Sequence, residues 1–252
     1  GAGLLAITPA NEERIPCSVS LLHQFVENNA ALIPSKTAFE FAWDITEQNI
    51  RKRTWTYSDL NGDGNKIARL LQSKGAVPGS MIAICFDKCQ EASLGILGIM
   101  KSGCAYVAID PNAPIARKQF ILDDSDSKLL LCTQSGKAEM SSLSGVELIT
   151  LDEPGLLDGL STADPILLRP IRPDDTCYCL YTSGTTGAPK GCEITHENAV
   201  QAMLAFQRLF DGHWDSESRW LQFASFHFDV SVLEQYWSWS VGICVTSCPR
   251  DL

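Results

Sequence analysis

The chain has 252 residues, 45% of them hydrophobic and 20% charged, an ordinary globular mixture long enough for one large core or two smaller ones. A net charge of −10 argues against a nucleic-acid groove, which needs clustered Lys and Arg, but leaves room for one locally positive loop around a nucleotide. The longest apolar stretch, near SLGILGIM, is far short of a membrane span, and GAGLLAITPA lacks the basic start and long apolar run of a signal peptide, so a soluble cytoplasmic protein without nucleic-acid or membrane partners is expected.

Residues 1–15 read as an irregular lead-in. SVSLLHQFVENNA, 18–30, reads as a helix with Leu21, Leu22, Phe25 and Val26 on one face and Ser18 or Ser20 as its cap. TAFEFAW alternates like a strand, and RKRTWTYSDL passes through a second short strand into a helix, NKIARLLQSKG, that ends at Gly75. From there the alternation is regular. MIAICF is a buried strand, CQEASLGILGIMKSG a helix stopping at Gly103, AYVAID a strand ended by Pro111, PIARKQFILDDS a helix, and KLLLC and VELITL strands. Residues 152–175 hold four prolines and read as a surface crossing. TCYCLYT is a strand, THENAVQAMLAFQRLF a helix with Thr195 as N-cap, RWLQFAS a strand, SVLEQYWSWS a helix and GICVTSC a strand.

This order predicts the α/β class, with largely parallel sheets flanked by helices. The chain ends at SCPRDL just after a strand, where a parallel sheet continues into a covering helix, so the front part of something larger is expected. The ten cysteines form no C-x-x-C pair and sit in apolar runs, which predicts buried reduced thiols, and the histidines His23, His196, His213 and His227 are too scattered for a zinc site.

YTSGTTGAPKG, residues 181–191, follows a strand directly, where α/β proteins place phosphate loops. It is neither a Walker A loop, since Lys190 is followed by Gly191, nor G-x-G-x-x-G. Its chemistry still suits an anion. Gly184 and Gly187 let backbone N–H groups turn toward negative oxygens, Thr182, Ser183, Thr185 and Thr186 add hydroxyl donors, and Lys190 supplies a point charge.

The loop closely resembles the phosphate-binding loop of the adenylate-forming superfamily: nonribosomal peptide synthetase adenylation domains, acyl- and aryl-CoA ligases and luciferases. Further motifs follow the family order. WTYSDL resembles the first core motif of adenylation domains, MKSGCAYVAIDPNAPIAR the second, the loop with CEITHEN behind it the third, and FASFHFDVSVLEQYW the fourth. The resemblance implies that 16–252 is the incomplete N-terminal core of one adenylation domain. It further implies ATP-dependent formation of an acyl-adenylate and transfer of the acyl group to a thiol, usually carrier-protein phosphopantetheine or coenzyme A. The partners it implies are peptidyl carrier and condensation domains of a larger synthetase. The Mg2+ ligand, a ribose-gripping aspartate and the lysine of a small C-terminal subdomain are expected beyond Leu252, so this chain alone is expected to be inactive.

Amino-acid-activating members carry an aspartate in the fourth motif that pairs with the substrate ammonium, here Asp229; the alternative is a helix N-cap, with Ser231 competing. By the same match Val230 and Leu233 are expected as pocket walls and Phe228 as the gating aromatic. A structural role is favoured for His196, and Lys101 and Arg117 read as solvated or structural. The residues around the third and fourth motifs are similar to fungal hydroxamate-siderophore synthetases, implying a large amino acid such as an N5-acylated hydroxyornithine. An acyl- or aryl-CoA ligase and a non-catalytic nucleotide-binding or interaction fragment remain the rival readings.

Overall fold

The runs MIAI, AYVA, LLLC and TCYCLYT are apolar or aromatic at almost every position, the pattern of strands covered on both faces. In the computed structural model, residues 18–182, 188–209, 211–222 and 229–249 are described, Asp229 and Val230 by their backbone alone. In chain order the elements are α1 Gln24–Leu32, β1 Thr37–Ile45, β2 Ile50–Thr56, α2 Tyr57–Ser73, β3 Met81–Ile84, α3 Gln90–Lys101, β4 Ala105–Ala108, α4 Ile115–Ser125, β5 Leu129–Cys132 and the short α5 Gln134–Lys137. They continue with β6 Glu147–Thr150, β7 Thr176–Thr182, β8 Lys190–Thr195, α6 His196–Leu209, β9 Arg219–Leu221, α7 Asp229–Ser240 and β10 Cys244–Ser247. The predicted lead-in and part of RWLQFAS lie outside the described residues.

The strands form two sheets, in the orders β6-β5-β3-β4-β7-β8 and β2-β1-β10-β9. In the first, every pairing is parallel except that of β7 with β8. In the second, β1 and β2 are antiparallel, and β10 pairs in parallel with both β1 and β9. The α/β expectation is met. The stretch 152–175 is built of turns and bends, as its prolines suggested.

Three local expectations are corrected. Helix α1 begins at Gln24, and neither Ser18 nor Ser20 caps it: the Gln24 side chain folds back, its Oε1 accepting from the N–H groups of Ser20 and Leu21, each at 3.0 Å. The apolar face is as read, with Leu21, Leu22, Phe25 and Val26 all buried. Helix α2 begins at Tyr57 rather than Asn65, because Thr56 and Asp59 form a reciprocal capping box. Strand β8 was not anticipated; four of its six residues are exposed, so it lacks the apolar signature of the interior strands.

Helices α2 and α3 form the seam between the sheets, α2 packing on β1 and β2 and α3 on β3, β4 and β5. They approach closely because glycines face them. A Cβ on Gly64 of α2 meets Leu97 Cδ2 at 2.7 Å, and one on Gly98 of α3 collides with Ile67. Across the second sheet, Glu40 on β1 is buried and takes Arg219 at 2.6 Å and Lys52 at 3.2 Å. Burial alone raises this carboxyl's pKa, but the hydrogen bonds from Arg219 and Lys52 outweigh it, and the net shift is downward.

A buried polar cluster joins α1, α3 and α6. His196 Nδ1 accepts from Leu22 N–H at 3.0 Å, the His196 and His23 rings meet edge-on, His23 Nε2 lies 3.3 Å from Glu27, and Lys101 lies 3.7 Å from the same carboxylate. Lys101 is therefore structural and buried, not solvated. Burial, with help from His196 and Lys101, holds His23 well below its ordinary pKa, and burial brings His196 to about 4 against the opposing pull of Asp175. Both rings are neutral at pH 7.

Two predictions follow from this packing. In Gly98→Ala, overpacking against Ile67 at a cost of about 1–3 kcal/mol outweighs the roughly 1 kcal/mol gained in helix propensity, so the thermal midpoint falls in differential scanning fluorimetry. The depressed histidines make local stability pH-dependent. Unfolded histidine takes up protons below about 6.5, whereas folded His196 resists until about pH 4, so stability present above 6.5 is lost as pH falls through that window. The opening free energy of the segment around Leu22, from hydrogen exchange corrected for intrinsic rates, falls between pH 7 and pH 5. His196→Asn, which keeps an acceptor but cannot titrate, flattens the dependence.

Candidate functional site

Strand β7 runs to Thr182 at the carboxyl end of the parallel sheet, and β8 returns antiparallel from Lys190. The phosphate-loop candidates are thus the connection of a β-hairpin. Thr182 and Lys190 are cross-strand partners and both are exposed. Ser183, Gly184, Thr185, Thr186 and Gly187 lie outside the described residues, so the structure brings two of the seven predicted phosphate contacts together. The carboxyl end of a parallel strand is where open α/β sheets bind their ligands.

The hairpin base is held on two sides. The Tyr181 hydroxyl donates to Asp124 Oδ2 of α4 at 2.7 Å, and Gly191 sits opposite Tyr181 in the register. Behind the hairpin, Thr195 caps α6 as predicted, its Oγ1 accepting from Asn198 N–H at 3.1 Å. The two helix donors before it are taken as well, His196 N–H by Asp175 O at 3.0 Å and Glu197 N–H by Pro173 O at 2.9 Å. The start of α6 is therefore committed to the chain itself. His196 is buried beneath it, in the structural role favoured from the sequence.

The substrate-side candidates come from the other sheet. Asp229 and Val230 are the first two residues of α7, and Leu233, one turn on, is buried in the main core cluster. Asp229 is thus inside the first turn rather than before it. Phe228 and His227 lie outside the described residues. Helix α7 is fixed to its surroundings by long-range bonds: Trp239 Nε1 donates to Ala38 O at 2.9 Å, and Asn29 Nδ2 to Trp239 O at 2.6 Å.

A contact the sequence did not reveal ties the two halves together. Lys88, in the connection from β3 to α3, donates to Gln222 O at the end of β9, 2.5 Å away. The carboxyl ends of the two sheets therefore meet directly before the fourth motif. The pairing spans 134 positions of sequence, and no local pattern announces it.

A cavity of about 500 Å³ lined by Leu209, Trp214, Arg219, Trp220, Trp237 and Ile243 is not part of this site. Arg219 and Ile243 place it at the amino-terminal ends of β9 and β10, opposite the end that leads to Asp229. Among the described residues no group of three or more His, Cys, Asp or Glu could hold a metal ion. The nine described cysteines are unpaired, six of them buried, while Cys192 is exposed. No helix among the described residues is long and apolar enough to cross a membrane.

The chain is 57% identical over 248 residues, 98% of its length, to the nonribosomal peptide synthetase sidC of Arthroderma benhamiae. It is 44% identical over 250 residues, 99% of the chain, to the hydroxamate-type ferrichrome siderophore peptide synthetase of Schizosaccharomyces pombe. It spans only about 5% of the length of each. Among solved structures, the nonribosomal peptide synthetase FmoA3 in its AMPPNP-bound form matches with a TM-score of 0.79 over 94% of this chain and 24% of that one, at 24% identity, a likeness of fold. The family described as AMP-binding enzyme matches residues 26–252, and the chain belongs to that family.

Proposed function

We propose that this chain is the N-terminal part of an adenylation domain that activates an amino acid with ATP, within a larger nonribosomal peptide synthetase of siderophore type. The observation that carries the reading is the β7–β8 hairpin, which sets Thr182 opposite Lys190 at the carboxyl end of the parallel sheet. The names of the fungal relatives support the siderophore setting. The unpaired thiols fit a reducing cytoplasmic one.

The reaction is a displacement at phosphorus. A carboxylate oxygen of the amino acid bonds to the α-phosphorus of ATP as the bond to the pyrophosphate oxygen breaks. The protein's part is to hold two anions together and neutralise the leaving charge, which is positioning and electrostatics rather than nucleophilic catalysis. Thr182 and Lys190, with Ser183 to Gly187, grip the phosphates. Asp229 meets the substrate ammonium, which needs a carboxylate once it leaves water. Val230, Leu233 and Phe228 shape the side-chain pocket, and the likeness to siderophore synthetases points to a large amino acid such as an N5-acylated hydroxyornithine. The aminoacyl group then passes to a phosphopantetheine thiol on a peptidyl carrier domain, and condensation domains use the product. Mg2+ accompanies ATP in this reading; among the described residues no group of three or more His, Cys, Asp or Glu could hold it.

Two predictions test this with amino-acid-dependent ATP–pyrophosphate exchange in the full-length protein. Lys190→Ala removes one charge-assisted contact, about 1.5–3 kcal/mol, and lowers kcat/KM about 10- to 150-fold. Exchange at the parental rate makes the loop a mere turn. Asp229→Ala costs about 3–5 kcal/mol in activation of the amino acid and relatively favours the analogue whose amine is replaced by hydrogen. Asp229→Asn keeps the shape but not the charge, so it behaves like Ala. If Asn instead behaves like Asp, the ammonium assignment fails and an acyl-activating enzyme becomes the better reading.

A further inference from the structure

Three carboxylates crowd the end of helix α4, at Asp123, Asp124 and Asp126, where the helix presents its own negative end. Two have local partners: Gln119 Nε2 donates to Asp123 at 2.9 Å, and Lys128 pairs with Asp126 at 2.8 Å. Asp124 instead reaches across to the sheet and accepts the Tyr181 hydroxyl at 2.7 Å, a bond between residues 57 positions apart. An acidic side chain at a helix end that disfavours it, bonded among the described residues to the base of the candidate phosphate hairpin, has little to offer α4 itself.

Tyr181 is the residue next to Thr182, and its register partner is Gly191, the residue next to Lys190. A Cβ at Gly191 meets Tyr181 Cζ at 3.1 Å and Cys179 Sγ at 3.0 Å. The ring therefore lies over the strand in space that only glycine leaves. Burial first, and then the hydrogen bond to Asp124, raises the Tyr181 pKa, so the phenol stays protonated and remains the donor. One side chain is thus fixed at its tip by α4 and at its ring by β8.

We propose that Asp124 is a positioning residue: through Tyr181, seated against Gly191, it fixes the hairpin register that presents Thr182 and Lys190 to the phosphates of ATP. The proposal rests on the adenylation reading for what the hairpin holds, and on the hairpin alone for how it is held.

The test uses the full-length protein and the variants Tyr181→Phe, Asp124→Ala, Asp124→Asn and Gly191→Ala. In ATP–pyrophosphate exchange, Tyr181→Phe and Asp124→Ala each raise KM for ATP about tenfold, the scale of one lost hydrogen bond to a charged group, with KM for the amino acid unchanged. The double variant is no worse than either single one, because both remove the same bond. Asp124→Asn keeps an acceptor for the phenol and recovers most of the loss. Gly191→Ala displaces the ring and gives the same signature. In parallel, hydrogen exchange at the strands 176–182 and 190–195 accelerates several-fold in Tyr181→Phe and Asp124→Ala, with the rest of the chain unchanged.

An unaltered KM for ATP overturns the proposal, as does a variant in which both KM values, kcat and the thermal midpoint worsen together. Parental exchange rates in the β7 and β8 strands overturn it too. If the parent supports no exchange with any amino acid, the adenylation reading falls, and the hydrogen-exchange result still decides whether Asp124 holds the hairpin.

Discussion

The close approach of α2 and α3 sets the geometry of everything else. Each helix covers a different sheet, so the distance between them sets the distance between the sheets. Gly64 faces Leu97 and Gly98 faces Ile67, and neither position has room for a methyl group. Interiors packed at crystal-like density transmit such a constraint rather than absorb it. The main apolar cluster accordingly runs through residues of both sheets, from Phe39 and Trp55 to Tyr106 and Leu131.

Legibility in the sequence followed the physics of burial. Strands buried on both faces, such as β4 with its run of fully buried residues, read as continuous apolar segments and were found at once. Strand β8 is an edge strand with only one buried residue, so its period is hidden. The starts of α1 and α2 were misplaced because side chains decide them. Gln24 folds back over the turn before α1, and Thr56 and Asp59 pair ahead of the apolar stripe of α2. The division into two sheets was equally hidden, since the pairing of β1 with β10 joins residues some two hundred positions apart.

The candidate site was legible in its chemistry and not in its support. Glycines, hydroxyls and one lysine suggest an anion loop by composition, whereas the role proposed for Asp229 rests on the resemblance of the fourth motif to that of amino-acid-activating enzymes. What holds them comes from elsewhere in the chain. Asp124 lies beyond the second motif, which reaches only the first turn of α4, Lys88 lies in an unremarkable turn, and each makes one hydrogen bond to a distant element. His196 shows the reverse case. It stands within a motif, yet its neighbours Leu22 and His23 make it a core residue, and its own N–H and that of Glu197 are taken by the loop before β7.

The proposed anion grip lies on the β7–β8 hairpin of one sheet, and the proposed ammonium partner at the start of α7, which packs on the other. A reaction that joins a carboxylate to a phosphorus tolerates little error in their separation, since a misplacement of about 1 Å costs about a hundredfold in rate. Neither hairpin nor helix fixes that separation by itself. The α2–α3 seam sets the spacing of the sheets, and Lys88, bound to Gln222 seven residues before Asp229, ties their carboxyl ends. Residues that touch no substrate in this reading thus govern the distance on which the chemistry depends.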